Sequence, residues 1–398
     1  MSIPNPAPSS RSGTGFPRAQ RTLIVTGVAH ALHDGYADMI YLLLPLWQTE
    51  FGLGYGALAL LRSLYTGAMA GLQVPAGAMA NRFGGRGVLA LGTGLAACGY
   101  LLAGFTGSLA GLCIALAVAG AGSSTQHPVG SAAVSRAYGA KARGPLGIYN
   151  FSGDLGKAAL PLAVSLLLTL VHWRDALRWT ALLGIGVASA IVLFMPANGQ
   201  AEKQQAEAEP GMRSAARGGF PLLLAIGVLD TAVRMGLLTF LPFLLKAKGA
   251  SIPAVGFALA LVFAGGAAGK FACGWLGARI GVLWTVVATE GGTAAAILLV
   301  LVLPLVPALC LLPLLGVMLN GTSSVLYGTV PELTAAHRAE RSFAVFYTGT
   351  IGSGAIAPVL FGFLGDAVGV SWATVATAVT ALITLPLAVA LAPRLEPG

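Results

Sequence analysis

The stretch PANGQAEKQQAEAEPGMRSAARGG, residues 196–219, divides the chain. It is polar, charged and rich in helix breakers, and it is the long interruption in a succession of apolar runs. An apolar run of ~20 residues makes ~30 Å of helix, enough to cross the hydrocarbon of a bilayer. Working outward, six runs precede the link, near 22–47, 56–80, 87–106, 108–134, 144–171 and 177–195. Six follow it, near 220–245, 252–277, 281–303, 305–330, 341–365 and 371–392. The pattern predicts an all-α polytopic membrane protein, with twelve transmembrane helices in two pseudo-symmetric six-helix halves. Its parts are a disordered cytoplasmic tail (1–21), the N-terminal half (22–195), a cytoplasmic linker (196–219), the C-terminal half (220–392) and a short cytoplasmic tail (393–398).

Composition agrees. Of 398 residues, 56% are hydrophobic and 9% charged, where a soluble domain carries about 25% charged residues. A mean hydropathy of +0.81 excludes an all-soluble protein, and it excludes disorder, which needs low hydrophobicity and high net charge. A membrane barrel would alternate apolar and polar residues in ~10-residue strands, and these runs are continuous. The net charge of +9 reads as basic loops on one side of a membrane, with no nucleic-acid partner. The four cysteines, Cys98, Cys113, Cys273 and Cys310, lie inside apolar runs without disulfide or zinc spacing, so packing is their default role. Neither a metal nor a cofactor is implied. Residues 1–19 lack the apolar core of a signal peptide.

Lys and Arg test the span count. With both termini cytoplasmic, the inside links hold fifteen: Arg11, Arg18, Arg21, Arg82, Arg86, Arg136, Lys141, Arg143, Lys203, Arg213, Arg217, Arg279, Arg338, Arg341 and Arg394. The outside links hold four: Arg174, Arg178, Lys246 and Lys248. That asymmetry satisfies the positive-inside rule and supports the topology; the expected location, with the family resemblance given below, is a bacterial inner membrane.

The halves repeat weakly. LLLPLW around Pro45 matches TFLPFL around Pro242, and span 5 runs from Arg143 to Pro161 as span 11 runs from Arg341 to Pro358. GAMANRFGGR (77–86) has a counterpart in GWLGARIG (274–281). Related six-span halves place a site between them near the midplane. At these residues the chain resembles the major facilitator superfamily, whose signature after span 2 is Gly, Asp-Arg, then Gly and basic residues. Gly77, Arg82, Gly84 and Arg86 match it with Asn81 at the acidic position, and Gly274, Arg279 and Gly281 match it with Ala278 there. Within that superfamily the chain resembles the fosmidomycin resistance protein family of drug exporters, through AHALHDGYADMIYLLLPLWQTEFGL (29–53), GSSTQHPVGSAAVSR (122–136) and GDLGKAALP (153–161). In the superfamily fold, spans 3, 6, 9 and 12 are the outer ones, and the family expectation is a monomer.

A charge at mid-bilayer costs about 2.5–3.5 kcal/mol by insertion scales, so it survives where it meets a cavity or a partner. Nine charged residues fall within spans: Asp34, Asp38, Arg62, Asp154, Lys157, Asp230, Arg234, Lys270 and Glu290. All but Glu290 lie on spans that the resemblance assigns to a cavity. At 1.5 Å per residue, Asp34, Asp154, Lys157, Asp230 and Arg234 sit ~15–21 Å into their spans. Lys270 falls near the cytoplasmic face, where it would snorkel, and Glu290 reads as structural. His30, Asp34 and Asp38 share one helix face by their i, i+4, i+8 spacing. Asp154 with Lys157 and Asp230 with Arg234 have the spacing of intrahelical pairs, which would neutralise each other.

The functional reading gives substrate contact to Arg62, Lys157 and Arg234, with Tyr149, Asn150 and His127 shaping the site, because Arg grips carboxylate or phosphonate bidentately. Proton coupling falls to Asp34, with His30, His33, Asp154 and Asp230. The bland alternative for each histidine is a helix-packing hydrogen bond. His127 precedes Pro128 and so sits at an expected kink. Asp38, Arg82, Arg86, Arg279 and Glu332 are candidate gates, and Glu332 and Glu340 pair with Arg338 and Arg341. These residues point to a secondary transporter of a small anionic substrate that moves protons across the lipid bilayer by alternating access. The leading expectation is proton-coupled efflux of an organic anion or antimicrobial. Uptake or exchange of an organic anion is the alternative, and a non-transporting sensor or embedded enzyme is remote, since no catalytic constellation is present.

Overall fold

The computed structural model describes residues 17–196, 219–334 and 339–395. These are helical almost throughout. In the N-terminal half, span 1 is Arg18–Phe51, span 2 Tyr55–Phe83, span 3 Gly85–Phe105, span 5 Arg143–Leu167 and span 6 Trp173–Phe194. Span 4 is composite: Leu109–Ser123 passes through a π-helical turn at Gln126–Gly130 into Ser131–Tyr138. That turn surrounds Pro128, whose missing N–H and ring displace the α-helical bonding pattern. In the C-terminal half, span 7 is Gly219–Ala247, span 10 Leu305–Thr329, span 11 Ala339–Val368 and span 12 Val370–Leu391. Spans 8 and 9 form one helical run, Ile252–Val302, broken at Gly281, where φ is 79° and ψ 169°. Only glycine adopts such a conformation without strain.

Eight helical stretches are long and apolar enough to cross a membrane by length and hydropathy, Ile252–Val302 among them. Divided at Gly281, that run supplies two spans. Spans 1, 2 and 5, long enough to cross but less apolar, complete the twelve. Helix begins at Arg18, so residues 18–21 are its first turn and not the end of a tail. Arg21 Nη2 donates to the Phe194 carbonyl at 3.0 Å. Ala392–Arg394 is a short 3-10 turn. The expected tail over 1–16 and the linker over 197–218 lie outside the described residues.

The halves keep a constant register. Pro45 and Pro242, Gly52 and Gly249, Gly84 and Gly281, and Pro161 and Pro358 are each 197 positions apart. In both glycine pairs each φ is positive. Spans 1 and 5 approach closely: a Cβ on Gly156 would lie 1.9 Å from the Ala31 carbonyl oxygen, and one on Gly35 2.7 Å from Leu160 Cβ. Small residues allow this contact, as membrane helices commonly require.

The halves meet mainly on the side opposite the termini. There the Asp366 carboxylate accepts from the Tyr55 and Gly56 N–H groups at 2.6 and 3.0 Å, capping span 2 from the other half. Tyr55 packs edge-on against Phe240 and Phe243, and the Ser63 hydroxyl donates to the Ala355 carbonyl at 2.5 Å. Deeper, Tyr41 contacts the Met235 sulfur at 3.3 Å. Lys270 and Asp154 form the deepest polar contact between halves among the described residues. Toward the termini the facing surfaces part: Val74 on span 2 is 82% exposed, and Val345 and Tyr347 on span 11 are exposed.

Candidate functional site

The face of span 1 that carries His30, Asp34 and Asp38 looks toward spans 4 and 5. Asp34 is the meeting point. Lys157 Nζ lies 3.3 Å from Oδ2, His30 Nε2 3.5 Å from the same oxygen, and His127 Nε2 3.9 Å from Oδ1. Gly153 makes the room, since a Cβ there would stand 2.6 Å from Asp34 Oδ2 and 2.8 Å from His30 Cε1. No charge or periodicity marks Gly153 in the sequence, so the site's need for a missing side chain was not legible there.

His30 has a defined tautomer. Its Nδ1 lies 2.8 Å from the Tyr149 carbonyl, which only accepts, so Nδ1 carries the hydrogen. When neutral, Nε2 therefore turns a lone pair toward Asp34, and it has no hydrogen-bond partner among the described residues. A proton on either group converts opposed lone pairs into a hydrogen bond. Tyr149 fixes this arrangement. Its ring stacks on His30 at 4.2 Å, and its hydroxyl donates to the Gln126 carbonyl and accepts from Gln126 Nε2 at 3.0 and 3.1 Å. Tyr149 is buried, so it supports His30 and does not form a wall of the opening. Asn150 is exposed and joins none of these contacts. The π-helical turn in span 4 presents both Gln126 and His127, and His127 keeps its side chain 42% exposed.

Lys157 also lies 3.6 Å from Asp154 Oδ1, its partner three residues away. The intrahelical pair is therefore real but shared. Lys270, expected to snorkel, instead reaches Asp154 from span 8 and donates to both oxygens at 2.6 and 2.7 Å. Nearer the closed side, Arg62 Nη2 lies 3.7 Å from Asp38, and the guanidinium sits 4.5 Å over the Tyr41 ring. Arg62 is 4% exposed, and its Nε and Nη1 lack hydrogen-bond partners among the described residues. Asp34, Asp38 and Asp154 thus face Lys157, Arg62 and Lys270 in one interior cluster.

Other expected site residues are placed elsewhere. His33 takes the packing role, with Nδ1 2.9 Å from Ser123 Oγ and Nε2 3.0 Å from Thr93 Oγ1. Arg234 and Asp230 form no ion pair within 4.0 Å among the described residues; Arg234 Nη2 donates to Thr231 Oγ1 at 3.4 Å. Asp230 meets Glu290 of span 9 instead. Of the proposed gates, Asp38 is the one in an ion pair among the described residues. Arg82 lies over Phe83, Arg279 over Trp275, and Arg86 donates to the Met195 carbonyl. Glu332 is exposed, and the expected partner side chains, Arg338 and Arg341, lie outside the described residues, as does that of Glu340.

His30, Asp34 and His127 could also offer ligand atoms to a metal, since these lie within 4.8 Å of one another. Lys157 already supplies the positive charge at this carboxylate, so the donor set does not call for a cation.

A charged interior held between two six-span helical halves, with the halves parted on one side, defines a membrane transporter and not an enzyme. The chain belongs to the major facilitator superfamily: the Major Facilitator Superfamily model matches residues 26–229 and 222–398. Among curated proteins, the Escherichia coli (strain K12) fosmidomycin resistance protein is 24% identical over 209 residues. That match spans about half of each chain, 51% in both cases. Among solved structures, a bacterial homolog of the human lysosomal transporter Spinster, inward-facing and unoccupied, superposes with a TM-score of 0.80 at 16% identity, covering 96% of this chain and 98% of that one. A point mutant of the nucleoside transporter NupG gives 0.78 at 12% identity, covering 95% and 100%. A POT family transporter in complex with 5-aminolevulinic acid gives 0.76 at 13%, covering 96% and 98%. These likenesses show the fold.

Proposed function

We propose that the chain is a proton-coupled secondary transporter of small organic anions, working by alternating access as a monomer in a bacterial inner membrane, with both termini cytoplasmic. The observation that carries this reading is the sharing of Lys157 between Asp34 and Asp154 beside a histidine of fixed tautomer. With Asp34 ionised, Lys157 is held. A proton taken up by Asp34, or shared with His30 Nε2, neutralises its partner and frees the ammonium for a carboxylate or phosphonate. His127, half-exposed toward the parted side, lines the approach, and Arg234, with an unpartnered Nε, offers a second anchor. Arg62 stays on Asp38 in the state with the termini side open.

The direction has two readings. Export of an antimicrobial is supported by the name of the 24% identical relative. The site geometry favours the second reading, uptake: an anion replaces Asp34 on Lys157 only when Asp34 is protonated, so proton and anion travel together. Proteoliposomes with an acid-outside gradient separate them. Accumulation of organic acids inside supports cotransport, and their depletion supports export. Flux that requires a counter-substrate and ignores the pH gradient would overturn proton coupling.

A further inference from the structure

The 197-residue register lets one interior be laid over the other. In the N-terminal half, His33 of span 1 meets Thr93 of span 3 and Ser123 of span 4. Advanced by 197, His33 and Thr93 correspond to Asp230 of span 7 and Glu290 of span 9. The same junction that is filled by an imidazole and hydroxyls in one half therefore holds two carboxyls in the other. Both are buried, Asp230 at 3% and Glu290 at 1% exposed, and they are electrostatic neighbours.

Two ionised carboxylates buried side by side repel each other, so a proton held by one of them relieves the pair. The surroundings leave room for that proton to matter. Among the described residues Glu290 Oε2 has no hydrogen-bond partner, nor does the Oγ1 of Thr293, one turn along the same helix and 1% exposed. Arg234 adjoins the pair on span 7, with its Nε unpartnered among the described residues, and the Thr322 hydroxyl of span 10 donates to Thr289, next to Glu290, at 2.7 Å. One guanidinium beside two carboxyls balances when a single proton is held between them.

We propose that Asp230 and Glu290 form a second proton-binding site, buried in the C-terminal half and separate from Asp34, in which the two carboxyls hold one proton. Loss of the proton leaves two negative charges and draws Arg234 onto them. The site stands independently of any transport reaction, so its test needs no substrate. Purified full-length Asp34→Asn protein removes the carboxyl at the centre of the other cluster. Infrared spectroscopy then reads the carbonyl-stretch band of protonated carboxylic acid at neutral pH. Adding Glu290→Gln is expected to remove the intensity of one carboxyl, because the glutamine amide then donates to Asp230. Asp230→Asn, which keeps a donor toward Glu290, should do the same, and serves where Glu290→Gln does not fold. An unchanged band in variants with the parental unfolding temperature would overturn the proposal. Failure of the transport reading would show only in the proteoliposomes.

Discussion

Lys270 and Asp154 stand 116 residues apart in sequence and join the two halves of the molecule through both carboxylate oxygens. Among the described residues the pair is the deepest polar contact between the halves, so its removal should be read in the stability of the whole bundle. Removing one partner of a fully buried pair costs about 3–5 kcal/mol, chiefly from the charge left behind. Lys270 is 37% exposed along its side chain, so Lys270→Ala is expected to lose less, about 2 kcal/mol. The double variant Lys270→Ala/Asp154→Asn should recover part of that loss. Thermal unfolding of these two variants and of Asp154→Asn alone forms a double-mutant cycle, and additive losses would rule out coupling between the pair.

Asp34→Asn cannot exchange a proton, and it leaves Lys157 with Asp154 as its charged partner. Flux driven by a pH gradient should fall at least about tenfold, while counterflow of anion without a gradient persists. Lys157→Ala should instead weaken anion binding about 10–100-fold, the equivalent of one charge-assisted hydrogen bond. Equilibrium binding and flux measured on the same preparations separate the two losses.

Asp366 closes one side of the molecule by accepting from the first N–H groups of span 2. Hydrogen bonds to a charged group contribute about 1.5–3 kcal/mol. Asp366→Ala should therefore shift the balance toward opening on that side by about 10–100-fold. A cysteine at Ser165, buried against Gly256 at the same seam, reports the change. Its labelling by a membrane-impermeant maleimide should accelerate in the Asp366→Ala background, and an unchanged rate would count against the latch.

Glu50, beyond the apolar part of span 1, binds Trp173 Nε1 and Arg174 Nη2 at 2.5 Å each. Partial burial raises its pKa, but the hydrogen bonds from Arg174 and Trp173, with the Arg174 charge, hold it below the usual carboxylate range. A carboxyl depressed in the folded state stabilises the fold above its unfolded pKa of about 4.3, and the contribution is lost as pH falls through the folded value. Glu50→Gln should lower stability at neutral pH by up to about 1 kcal/mol. The difference from the parent should vanish in acid, as read by unfolding temperature across pH.

Twelve spans were legible because hydropathy over twenty residues depends only on local composition. The Asp34 face and its partner Lys157 were legible for a related reason: charges are rare in apolar helix, and helical spacing sorts them onto faces. Contacts between spans were not. Lys270 looked like a snorkelling residue because its depth was counted along its own helix, and nothing in span 8 announces Asp154. Glu290 reads as structural from its own helix, because its neighbour Asp230 lies on span 7. Arg234 and Asp230 had the spacing of an ion pair, yet Thr231 and Glu290 compete for them in three dimensions. Tyr149 was read as substrate-facing, although an aromatic close to the polar face serves equally to brace a histidine.

The constant offset between Gly52 and Gly249, and between Gly84 and Gly281, also limits how the chain can vary in length. One residue added within a helix turns everything beyond it by about 100° around the axis. An insertion ahead of Asp154 in span 5 would swing that carboxylate and Lys157 away from Asp34 and toward the lipid. The glycine-capped ends are thus like the indexing teeth of a gear. Substitutions alter what a tooth carries, but a single slipped tooth disengages the charged interior altogether.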